Sequence, residues 1–122
     1  MVPQLQVILY VSEPARSSAF YAELLNLTAE ILSPNFAVIN LAEGFQLGLL
    51  LRSKVEPPAP EGISSELCLI VEDKGALEAL YKQWVAKGVP IILPPQVMYF
   101  GGANFMGTDP DGNRIRISTP DK

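Results

Sequence analysis

Two carboxylates, an amide and two guanidinium groups crowd into residues 108–118, T-D-P-D-G-N-R-I-R-I-S. Asp109, Asp111 and Asn113 are spaced like the first ligands of a calcium loop, but such a loop needs glycine at its sixth position and a bidentate Glu at its twelfth. Counted from Asp109, Gly112 stands fourth and Pro120 twelfth, so calcium is not the expectation. D-P-D-G-N reads instead as a tight turn: Pro110 presets φ, the aspartates cap local amides, and Gly112 admits a positive φ. Beyond it, Arg114 and Arg116 alternate with Ile115 and Ile117. Period two puts both arginines on one face of a strand and both isoleucines on the other. The plain reading of such a strand is a solvated polar face over an apolar one.

The other candidate chemistries are narrowed by what is missing. The chain has no histidine, which removes Ser-His-Asp and Cys-His catalysis and every His-containing metal site. Its single cysteine, Cys68, cannot form an intrachain disulfide; within an apolar strand pattern it is expected to be a buried, inert thiol. A net charge of −4 with scattered Lys and Arg argues against a nucleic-acid partner, which requires a basic stripe. No apolar run approaches the roughly 18 residues of a membrane span. The first residues, M-V-P-Q-L-Q, lack the features of a secretory signal, so a cytoplasmic location is the expectation.

These residues must be positioned by a scaffold, and the scaffold repeats. Q-V-I-L-Y-V-S-E at 6–13 matches E-L-C-L-I-V-E-D at 66–73 after a shift of 60 residues; with the same shift, 19–25 falls on 79–85, both with apolar residues at helical spacing. Ser12 and Pro14 signal the start of the first helix and Asp73 that of the second, which Gly88 closes. Strand patterns follow at 29–32, 36–41 and 45–51, and again at 90–93, 103–106 and 114–118. The order is βαβββ twice, an α+β domain over 1–122. Unit one spans 4–52 and unit two 64–119, and a stiff, proline-rich connection at 53–63 joins them. Trp84 lies on the buried face of the second helix and is expected in the core.

Two βαβββ units, with F-Y-x-x-L-L-x-L on the first helix and D-P-D-G-N before the last strand, resemble the vicinal oxygen chelate superfamily of glyoxalase I, extradiol dioxygenases, and fosfomycin and bleomycin resistance proteins. The resemblance covers essentially the whole chain. It implies that the two tandem units form a half-open barrel around a cavity, commonly shared across a homodimer. More narrowly, L-G-L-L-L-R-S-K-V-E-P, S-E-L-C-L-I-V-E and D-P-D-G-N-R-I-R-I are similar to glyoxalase-like, phenazine-antibiotic binding proteins.

In metal-dependent members, one residue from the first and one from the last strand of each unit ligates a divalent ion. Carried over, those positions are Gln6 and Glu66, each five residues before the strand-ending Val11 and Val71, then Arg116 and, opposite it, Gly48, with Gln46 as the fallback. An arginine cannot become an oxygen donor, and a cation about 4 Å away would meet repulsion of several kcal/mol. The resemblance therefore implies no metal and no cofactor, with Arg116 pointing into the cavity. There it can pair with Glu66, or hold an anionic group of a ligand in a bidentate fork, or do both. Phe36, Leu50, Met98, Tyr99, Phe100 and Met106 are candidate cavity linings, although strand aromatics and methionines more often serve the core. Leu50 stands where phenazine-binding relatives often carry a Trp. The expected function is metal-free binding of a small planar organic ligand, such as an antibiotic or secondary metabolite, by sequestration. The alternatives are a metal-dependent lyase, isomerase or dioxygenase using Gln6, Gln46 and Glu66, and a metal-free enzyme with Glu66 as general base.

Overall fold

The computed structural model describes residues 5–55, 58, 61, 62, 66–97 and 102–120. The chain divides into two compact units, Met1–Gly62 and Ile63–Lys122.

In unit 1, strand β1 (Leu5–Val11) leads into helix α1 (Pro14–Leu25), then β2 (Ala29–Ser33), β3 (Phe36–Ala42) and β4 (Phe45–Leu51), followed by one 3-10 turn (Arg52–Lys54). The sheet order is β1-β4-β3-β2; β1 runs parallel to β4 and the remaining pairs are antiparallel. Alternation sorts the side chains: Leu9, Val11, Ala37, Ile39, Leu47 and Leu49 are buried on the face that α1 covers with Tyr21 and Leu24. Helix α1 starts at Pro14, whose absent N–H costs nothing there, and its N-cap is Glu13, which makes no side-chain cap. It ends at Asn26 in the left-handed conformation, whose N–H returns to the last turn.

Unit 2 repeats the path with β5 (Glu66–Ile70), α2 (Lys74–Ala86), β6 (Ile91–Val97), β7 (Ala103–Thr108) and β8 (Arg114–Ser118), in the order β5-β8-β7-β6. Asp73 caps α2 by accepting from the Ala76 N–H at 2.8 Å. Trp84 is fully buried and stands edge-on to Phe105, as does Tyr81. Ile115 and Ile117 share this covered face. Strand β6 continues to Val97, past the expected end at 93, because an edge strand with an irregularity between Leu93 and Gln96 tolerates Pro94 and Pro95. Cys68 is exposed, which corrects the expectation of a buried thiol: Leu67 takes the covered face and the cysteine the open one.

Candidate functional site

The turn that launches β8 is built on Asp109. Its Oδ1 accepts the Asp111 and Asn113 backbone N–H groups at 2.9 and 2.8 Å, and its Oδ2 accepts from Asn113 Nδ2 at 2.9 Å. Gly112 takes φ 83° and donates to the Asp109 carbonyl. Both carboxylate oxygens of this buried residue therefore serve the turn.

From that turn, β8 enters the sheet between β5 and β7. Glu66 pairs in register with Arg114, Cys68 with Arg116, and Met106 with Arg116, so all of these share the face opposite α2. Arg116 does not stay above its register partners. Its Nε donates to Glu66 Oε1 at 2.7 Å, and one terminal nitrogen donates to Asn104 Oδ1. The side chains of Arg116 and Glu66 are 27% and 38% exposed, so the pair is open to solvent and accessible to a solute. The hydrogen bond that Arg116 donates to the Glu66 carboxylate holds the guanidinium above its ordinary range against the opposing effect of burial, and it remains a cation. Of its five N–H groups, two are engaged and three have no partner among the described residues. Arg114, exposed on the same face, makes no ion pair among the described residues. Among the described residues, two guanidiniums and one carboxylate leave this face with one uncompensated positive charge.

The matching positions of unit 1 carry neutral amides, on a face that also holds Glu30. Gln6 Nε2 donates to Gln46 Oε1 at 2.8 Å, and Gln46 Nε2 donates to Asn40 Oδ1 at 3.0 Å. Gln6, Gln46 and Asn40 are register neighbours across three strands, so the amides form a short chain along the sheet. Gly48 pairs with Ile8 as Arg116 pairs with Cys68, and Ile8 and Cys68 are 60 residues apart, the period of the repeat. Gly48 thus holds the position of Arg116. A Cβ there would stand 3.0 Å from the Phe36 ring, which fills the space that a side chain would occupy. Leu50 lies beside Phe36 and Tyr10 on this face, and the Arg52 guanidinium sits 5.8 Å from the Tyr10 ring centroid.

The structure thus joins Arg116 to Glu66 within unit 2, and Gln6 to Gln46 within unit 1. Met106 is buried beside Arg116. Met98, Tyr99 and Phe100 lie outside the described residues. Asn104 and Asn40 are additional members that the sequence reading passed over; the signal was one amide within each apolar strand, A-N-F-M and A-V-I-N-L. A hollow of about 500 Å³ beside the start of α2, lined by Glu72, Asp73, Lys74, Gly75, Thr119 and Pro120, includes none of the expected site residues.

The donor set of unit 2 does not fit a divalent cation. Glu66 is already matched by a guanidinium that cannot yield its proton, and a second cation would have to approach that fixed charge. The amides of unit 1 are neutral donors tied to one another. The arrangement suits an anion: an oriented guanidinium with spare N–H groups can form charge-assisted hydrogen bonds to a carboxylate.

The sequence model of the glyoxalase/bleomycin resistance protein/dioxygenase superfamily matches residues 4–117. A solution NMR structure of an Agrobacterium tumefaciens protein is 37% identical, with a TM-score of 0.83 over 93% of each chain. A crystal structure of a member of the glyoxalase/bleomycin resistance protein/dioxygenase superfamily from Sphaerobacter thermophilus is 26% identical, with a TM-score of 0.77 over 95% of each chain. A lactoylglutathione lyase from Agrobacterium tumefaciens shares the fold at 17% identity, with a TM-score of 0.80 over 96% of this chain and 92% of that one. No curated protein matches the sequence. With the family's sequence pattern running through both βαβββ units, the chain belongs to the glyoxalase/bleomycin resistance protein/dioxygenase superfamily.

Proposed function

We propose that this chain is a metal-free binding protein for a small, planar, partly apolar molecule that carries an anionic group. Arg116 is the anchor, and Glu66 and Asn104 hold it in place. One observation carries the reading: the Arg116 guanidinium is oriented on two sides with three N–H groups unengaged among the described residues, at the position that the family resemblance aligns with an oxygen ligand of metal-dependent members. The apolar part of the ligand has suitable surface in the exposed Ile70, on the same face of unit 2 as Arg116. Antibiotics and secondary metabolites of the phenazine carboxylate type have this chemistry, and tight binding without turnover would sequester them. We further propose a homodimer, the commonest closed assembly of soluble chains.

The test is a thermal-shift screen of wild-type protein against planar heteroaromatic acids, phenazine carboxylates among them, and their neutral amides. Acids are expected to raise the melting temperature more than amides. Equal shifts would remove the anion anchor and leave Arg116 as a structural partner of Glu66.

A further inference from the structure

The reading of Arg116 as an anion anchor leaves open which anions the site accepts, and the charge count on the open face of unit 2 bears on that. Arg114 and Arg116 project from the same side of β8, and Glu66 stands in register with Arg114 while bonding Arg116 at 2.7 Å. We propose that Glu66 is a specificity-determining residue that restricts the ligand to a single negative charge. This inference rests on the proposed function above and concerns the same site.

Glu66 orients the guanidinium through Nε, and three of its other N–H groups have no partner among the described residues. The same carboxylate cancels one of the two arginine charges, and the face offers a net of one positive charge. A monocarboxylate closes the balance. A dianion would leave one excess negative charge close to the Glu66 carboxylate, and like charges at that range repel by an amount equivalent to roughly four- to tenfold in affinity at a solvated surface. Arg114 supplies the uncompensated charge: it is exposed and makes no ion pair among the described residues. At the matching positions of unit 1 the charges are replaced by amides, Gln6 for Glu66 and Gln46 for Arg114.

Three probes of one ring system and different charge separate these effects: 2-naphthamide, neutral; 2-naphthoate, a monoanion; and 2-naphthyl phosphate, a dianion at pH 8. Binding is measured by calorimetry at pH 8 on the wild type, E66Q and R114Q. E66Q keeps an oxygen acceptor for Arg116 Nε and removes only the charge, and a circular dichroism melt checks its fold. In the wild type, naphthoate should bind more tightly than naphthyl phosphate. In E66Q, phosphate should gain roughly four- to tenfold on naphthoate. In R114Q, both anions should weaken several-fold while the amide is unaffected. An unchanged phosphate-to-carboxylate ratio in E66Q overturns the role of Glu66 while leaving the anchor intact. Equal binding of all three probes, or none by any, overturns the anchor and this inference with it.

Discussion

The first and last strands of unit 1 set Gln6 opposite Gln46; those of unit 2 set Glu66 opposite Arg114. Two steps along, Ile8 faces Gly48 and Cys68 faces Arg116. Strand order, pairing sense and helix placement are the same in both units, so substitutions on one face alone separate a neutral amide chain from a charged cluster. The covered faces need only apolar bulk and alternation, which many residues supply. The open faces are free of that demand, and there single residues decide between a metal ligand, a guanidinium and an aromatic ring folded over a glycine.

The largest expected difference between the units lies in the turns that launch their last strands. Asp109→Ala removes a buried carboxylate that accepts three hydrogen bonds and should cost about 3 kcal/mol in denaturant unfolding. The exposed Glu43→Ala, in the corresponding turn of unit 1, should stay within about 0.5 kcal/mol. Similar losses would mean that the two turns carry equal weight and that β8 is not specially anchored.

A smaller effect separates two buried glycines. A Cβ on Gly107 would meet the Pro90 carbonyl oxygen at 3.0 Å and Trp84 Cε3 at 3.3 Å on the covered face of unit 2. Backbone and a fully buried indole cannot yield easily, so Gly107→Ala should cost about 1–3 kcal/mol. Gly48→Ala would meet the Phe36 ring at the same 3.0 Å, but that neighbour is the end of a half-exposed side chain and can rotate outward. Its cost should be below about 1 kcal/mol. A Gly48 variant as damaged as the Gly107 variant would show that the Phe36 ring is locked.

The smallest expected effect is none. With Arg116 paired to Glu66, Zn²⁺, Ni²⁺ and Mn²⁺ should leave the melting temperature unchanged, whereas a native-state ligand at 100 times its Kd adds about 2.7 kcal/mol. A metal-induced rise that disappears in Glu66→Ala or in Gln6→Ala would overturn the metal-free reading and favour that of a metal-dependent enzyme.

Much of the scaffold was legible because period-two and helical patterns recur at a fixed shift. The face of Arg116 was legible too, since R-I-R-I alternates without ambiguity. The face of Cys68 was not: E-L-C-L-I is a nearly continuous apolar run, and such a run does not show which side is covered. Asn104 and Asn40 escaped notice because a hydrogen-bond partner across a sheet depends on register, which only the assembled strands define. The α1 start was anticipated through Ser12 and Pro14, but the cap position fell to Glu13 without a side-chain bond, and the αL turn at Asn26 was not foreseen. Glycine is the usual residue there, and asparagine tolerates the same φ.

The central claim, that the guanidinium at 116 is an anion anchor and not only a partner for Glu66, is tested most directly by titrating a planar heteroaromatic acid and its amide into wild type, Arg116→Lys and Arg116→Met. Methionine fills the same space without charge, and lysine keeps the charge without the fork. The acid-over-amide preference should be strongest in wild type, weaker in the lysine variant and absent in the methionine variant. A folded Arg116→Met protein that still prefers the acid would contradict the account.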